Sequence, residues 1–118
     1  MDTGRIKMVN FKGVLYCDAY MEDEFTLEDL ESMRAEIRDN YSSKSDVILK
    51  KTGTYSVSPK AQTVLFKGVS EFRNFVYVVD DMIKRNSAEY AASTYMKLYN
   101  TRVADSKEEA YEILSENY

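Results

Sequence analysis

The run Phe75-Val76-Tyr77-Val78-Val79, halted by Asp80-Asp81, constrains this chain more than any other stretch. A strand with one wet face alternates apolar and polar residues, whereas an unbroken apolar run belongs to a strand covered on both faces. Shorter β-type runs recur along the sequence with amphipathic helical stretches between them, which is the pattern of an open α/β layer protein. Its 118 residues, 44% of them hydrophobic, suffice for one domain (1–118) with a real core.

Arg5 to Val9 and Val14 to Met21 read as two strands joined across Asn10-Phe11-Lys12-Gly13, with Leu15, Cys17, Ala19 and Met21 on the core side. The acidic loop Glu22-Asp23-Glu24 leads to Thr26, an N-cap with Asp29 three residues on. Leu27, Leu30, Met33, Arg34 and Ile37 then recur at helical spacing until the stretch Asn40 to Ser45 breaks the helix. Asp46 to Lys50 is a third strand, and Thr52 to Tyr55 turns the chain. Ser58-Pro59 opens a second helix, with Ala61, Val64, Leu65 and either Phe66 or Val69 on its inner stripe. A fourth strand spans Phe72 to Val79. The following helix is expected from about Met82 to Tyr99, with Ala88, Ala91, Ala92 and Tyr95 against the sheet. Thr101 to Ala104 is a short fifth strand, and Ser106 with Glu109 caps a last helix whose inner face is Ala110, Ile113 and Leu114. The expected order is ββαβαβαβα, a five-stranded mixed sheet with four helices and a central core of Val47, Ile48, Leu49, Val76 and Val78.

Composition narrows function mainly by exclusion. A formal charge of −4 is opposed to general nucleic-acid binding, which requires a basic surface. No apolar segment follows the first residues as in a signal peptide, and the longest apolar runs are about five residues against the roughly 18 that span a bilayer. No membrane span is therefore expected, and the cytoplasm is the simplest location. With no His and a single Cys, neither a disulfide nor the usual general acid–base residue is available. Cys17 reads as a small buried hydrophobe.

Asp80-Asp81, at the carboxyl end of a buried strand, has the residue types for Mg²⁺, but Asp81 reads better as the cap of the next helix. Ser56 and Ser58 stand just before the second helix. Each is a candidate for phosphorylation, and Ser58 is also the natural N-cap. Residues 44–73 carry six Lys or Arg against two acids, a local positive bias best read as scattered solvated lysines. The ten tyrosines suit core and interface roles. No catalytic, cofactor-binding or metal-ligating residue is expected. The candidate regulatory or interaction surface is Thr52, Thr54, Ser56, Ser58 and Lys60, in the loops beyond the strand carboxyl ends where partners usually meet an open α/β sheet.

These landmarks resemble the SpoIIAA-like fold of STAS domains, nearest to the small bacterial STAS/SEC14 domain-containing proteins. The stretches that carry the resemblance are Gly13-Val14-Leu15-Tyr16, Phe25-Thr26-Leu27-Glu28-Asp29, Asp46-Val47-Ile48-Leu49, Val57-Ser58-Pro59-Lys60-Ala61, Tyr77-Val78-Val79-Asp80 and the run Val103 to Ala110. The resemblance implies a sheet wound with helices packed on it, and a non-catalytic regulatory or protein-interaction role with a protein partner. Its SEC14 side implies an alternative, a carrier of a small apolar or lipid-like ligand. A homodimer stays open. Phosphorylated members carry Asp-Ser-(Ser/Thr)-Gly at the second helix, where this chain has Tyr55-Ser56-Val57-Ser58-Pro59, so neither serine inherits the acceptor role directly.

Overall fold

In the computed structural model, which describes residues 1–117, the chain runs β1 (Ile6–Phe11), β2 (Val14–Ala19), β3 (Glu24–Phe25), α1 (Leu27–Asn40), β4 (Ser45–Lys51), β5 (Ser56–Val57), α2 (Pro59–Lys67), β6 (Phe72–Val78), α3 (Met82–Ser93), β7 (Arg102–Ala104) and α4 (Lys107–Asn117). The main sheet has the order β1-β2-β4-β6-β7, antiparallel at the β1–β2 hairpin and parallel elsewhere. This is the expected mixed five-stranded sheet with four helices.

Side-chain alternation along β4 and β6 builds two cores. Val47, Leu49, Phe75 and Tyr77 meet Leu30, Met33 and Ile37 of α1, Ala61 and Leu65 of α2, and Ala88 and Ala91 of α3. On the opposite face Ile48, Val76 and Val78 meet Ala110 and Leu114 of α4. The sheet is covered twice, which is why its central strands are apolar on both faces.

The structure departs from the expected elements at several points. β1 continues through Phe11, so the hairpin turns on Lys12 and Gly13 alone, both at positive φ (54° and 86°). That is the backbone of a two-residue turn whose twist matches the flanking strands. β2 ends at Ala19 rather than Met21. Two short strands were not anticipated: β3 pairs in parallel with β5, Glu24 opposite Ser56 and Phe25 opposite Val57.

The expected long helix stops at Ser93 and is followed by a 3₁₀ turn at Lys97–Tyr99. Ser93 and Thr94 hydroxyls both donate to the Tyr90 carbonyl, at 3.0 and 2.7 Å. Such back-bonding competes with helix propagation. The break also lets Met96 and Tyr99 turn inward, where Tyr99 donates its hydroxyl to the Leu65 carbonyl at 2.6 Å. Phe66 on α2 is 69% exposed, whereas Val69, just past the end of α2 at Lys67, is buried and completes the inner stripe.

Candidate functional site

The loop between β4 and α2 is pinned from beneath. Gly53 donates its N–H to the Ala19 carbonyl at 3.1 Å, and a Cβ at this position would lie 1.8 Å from the Met21 carbonyl oxygen. Only glycine lets the two backbones approach so closely. Thr52 donates its hydroxyl to Asp18, and Thr54 donates its N–H (3.0 Å) and hydroxyl (2.6 Å) to Glu22, whose carboxyl is held below its usual range by those bonds. Beyond them Tyr55 is buried with its ring 6.0 Å from that of Phe25. Ser58 accepts from the Ala61 N–H at 3.1 Å and is 8% exposed, as an N-cap should be. Ser56 and Lys60 face solvent. The five candidate residues thus share one loop and helix start without converging on a ligand: two threonines serve carboxylates, Ser58 serves α2, and Ser56 carries the exposed loop hydroxyl nearest the helix start. The acidic loop Glu22-Asp23-Glu24 is in part the brace of this loop, and Asp23 pairs with Arg5 at 3.0 Å.

Lys51, which flanks this loop and belongs to the positive bias read as solvated lysines, is instead buried, because it continues the alternation of Val47 and Leu49 into the larger core. It is 5% exposed, its ammonium lies 3.9 Å from the Tyr55 ring centroid and 5.6 Å from that of Tyr77, and among the described residues no carboxylate is within ion-pair distance. Burial, reinforced by Lys84, pushes its pKa down to about 8. The faces of Tyr55 and Tyr77 compensate this cation in part.

Other candidates resolve into structural roles. Asp81 accepts from the Lys84 N–H at 2.7 Å, and Asp80 pairs with the Lys84 ammonium at 3.1 Å. That ammonium also donates to the Thr52 carbonyl at 2.9 Å, tying α3 to the loop. Among the described residues no group of three or more His, Cys, Asp or Glu is placed to hold a metal ion. The Cys17 thiol is fully buried, which raises its pKa far from the thiolate range. No described helix is long and apolar enough to cross a membrane.

Two spaces in the molecule bear on ligands and partners. Inside the larger core, Phe25, Met33, Tyr55, Leu65, Phe75 and Met96 enclose a void of about 20 Å³. Between α2 and α3 an open groove of about 410 Å³ is lined by Pro59, Gln62, Thr63, Phe66 and Lys67 on one side and Tyr90, Thr94 and Tyr95 on the other. Phe66 and Tyr90 border it with 69% and 66% of their surface exposed, and Ile83, two turns before Tyr90, is 81% exposed.

No family model and no curated protein matches the chain. Among solved structures, the crystal structure of an uncharacterised DUF3478-family protein from Shewanella loihica PV-4 aligns with a TM-score of 0.61 over 92% of this chain and 91% of that one, at 15% sequence identity. That protein is described as having a SpoIIAA-like fold. The present chain has the SpoIIAA-like fold. At this identity the likeness carries architecture alone, so function has to be argued from the chain's own surfaces.

Proposed function

We propose that this SpoIIAA-like chain is a non-catalytic protein-interaction module that receives its partner along the α2–α3 face. The observation that carries this reading is the pair of large aromatics, Phe66 and Tyr90, left exposed on either side of a groove on helices that already bury their other faces in the core. Exposed apolar residues grouped around a concavity are a mark of interaction sites. The alternative, a carrier of an apolar ligand, draws no support from the interior: a void of about 20 Å³ has room for about one water, whereas small-molecule sites run to about 300 Å³ or more. The loop before α2 stands at the end of the groove, where Pro59 is part of the lining. Its exposed Ser56 is the hydroxyl at which modification would alter the approach of a partner without dismantling the Ser58 cap.

The test is site-specific photo-cross-linking in the native host. A benzophenone side chain at position 66 is expected to yield a discrete protein adduct that the same group at Val9, exposed on the β1 edge, does not. Equal labelling from the two positions, or none from position 66, would remove the α2–α3 face from consideration.

A further inference from the structure

We infer that the α2–α3 groove takes an acidic amphipathic segment of a partner protein. The inference rests on the interaction reading above and adds the partner's chemistry. The two stretches that build the groove, residues 56–70 and 90–104, contain no Asp or Glu in a chain that has 20 of them and a net charge of −4. Their exposed cations are Lys60, Lys67, Lys97 and Arg102; Lys67 is the one charged residue in the groove lining, and Lys60 stands at the start of α2 in an adjoining concavity with Glu24 and Glu28. The carboxylate of α3 nearest in sequence, Glu89, lies 3.8 Å from Arg85 on its own helix. In an acidic protein the lining of this groove therefore has no carboxylate, but apolar anchors and a lysine.

The anchors are spaced as a helical partner would meet them. Pro59, Gln62, Thr63, Phe66 and Lys67 form one stripe of α2, and Ile83 and Tyr90, two turns apart, continue the rim along α3. An amphipathic helix laid in such a groove sets its apolar side on the aromatics and its flanking charges against the rim. Leu98, 63% exposed, extends the apolar surface beside Gly68 at the end of α2. A second copy of this chain fits less well, because a two-fold interface would bring Lys67 and Lys97 of each copy towards those of the other. An anionic membrane fits less well too: Lys67 is the one basic residue in the groove lining, against the about four to eight in polybasic lipid-binding clusters, and the surface is concave.

The experiment is a display selection of random 16-residue peptides on the intact protein, followed by binding of individual clones. The expected consensus places Leu, Phe or Ile at helical spacing among Asp and Glu. Its affinity should fall by about tenfold in Phe66→Ala, and about three- to tenfold in Lys67→Glu or on raising salt. Both side chains are exposed, and unchanged melting temperatures verify that the variants fold. A neutral or basic consensus that still requires Phe66 would overturn the acidic assignment and leave the interaction reading standing. Clones indifferent to Phe66→Ala would overturn both. Flotation of the protein with phosphatidylserine vesicles, or a self-association lost in Phe66→Ala, would replace the acidic peptide by a membrane or a second copy.

Discussion

Two aromatic surfaces of this molecule are treated in opposite ways. Beside α4, Phe11 packs with ring centroids 6.3 Å from Tyr16 and 5.6 Å from Tyr111, and the cluster is covered by cations of the same chain. Lys12 lies 4.8 Å from the Tyr111 centroid, and Lys107 lies 4.6 Å from that of Phe11. On the α2–α3 face, Phe66 and Tyr90 have no ring partner and no covering ammonium among the described residues. The first arrangement is complete: lysine stems shield the rings, and their charges use the ring faces. The second has the same ingredients, aromatics with lysines near by, yet leaves them apart. The difference teaches that exposure at Phe66 is not a shortage of covering groups in this sequence, and it is the ground for assigning that face to a partner.

The largest effect that separates covered from open surface is expected from one charge placed on each side. Val78→Asp puts a carboxylate beneath α4, among Ile48, Val76, Ala104 and Leu114. It should cost several kcal/mol and abolish cooperative unfolding. Phe66→Asp, on the open side, should change stability by less than about 0.5 kcal/mol while removing peptide capture. Thermal unfolding followed by circular dichroism decides the matter. A Val78→Asp protein that melts near the parent temperature would refute a two-faced central sheet, and a large loss in Phe66→Asp would mean that face is already covered.

A second prediction concerns the cation buried by aromatics rather than laid over them. The displacement of the Lys51 pKa from 10.5 to about 8 corresponds to about 3 kcal/mol at most. Below pH 8 the folded and unfolded chains both carry the proton, and the burial penalty is present in full. Between about pH 8 and 10.5 the unfolded chain holds a proton that the folded chain has released, so stability rises with pH through that window. Tyr55 and Tyr77, whose phenols burial raises, act with the opposite sign once unfolded tyrosines ionise near pH 10. Stability is therefore expected to peak between about pH 9 and 10. Lys51→Met should stabilise the protein at pH 7 by about 1 kcal/mol, the burial penalty exceeding a desolvated cation–π contact of about 2 kcal/mol. The gain should shrink towards pH 10. Urea unfolding of the two proteins at pH 7 and pH 9.5 measures it, and a loss of stability at pH 7 would show that the tyrosine faces hold the cation better than water does.

The fold was legible because its determinants are local and redundant. The run at Phe75 to Val79, the Thr26–Asp29 capping box and Ser58-Pro59 each specify an element without reference to the rest of the chain. The errors fall where tertiary contacts decide. The apolar spacing of α3 continues through Tyr95, but Ser93 and Thr94 bond back to Tyr90 and release Met96 and Tyr99 into the core. The pairing of β3 with β5 joins residues too far apart in sequence, and in strands too short, to leave a pattern. Phe66 and Val69 were equally good candidates for the inner stripe because they lie three apart on one helix side, and only the end of α2 at Lys67 selects Val69. The candidate site was legible as a place, the loop entering α2. Its working surface was not, since which aromatic stays uncovered depends on where the lysines of distant segments settle. The buried Lys51 was readable in principle, being in phase with Val47 and Leu49, but the same phase also suits the end of a strand emerging into solvent.

The smallest effect tests the loop at the end of the groove, where two serines two residues apart differ as the two faces do. Ser58 is turned in, its oxygen accepting the Ala61 N–H, whereas Ser56 is exposed. Ser58→Ala should cost about 1 kcal/mol, the usual value of an N-cap hydroxyl, and leave peptide capture unchanged. Ser56→Ala should alter neither stability nor capture. Ser56→Asp should lower the melting temperature only slightly, because the helix N-terminus ahead of it favours anions and offsets part of the repulsion from Glu24, opposite Ser56 in the β3–β5 pair. It should nevertheless weaken an acidic partner by about two- to threefold, through repulsion at the groove's end. Melting temperature and peptide affinity measured on the three variants separate the roles. Tighter capture by Ser56→Asp would mean that the partner presents positive charge at this end, and the acidic segment would then have to lie with its charges towards Lys67 alone.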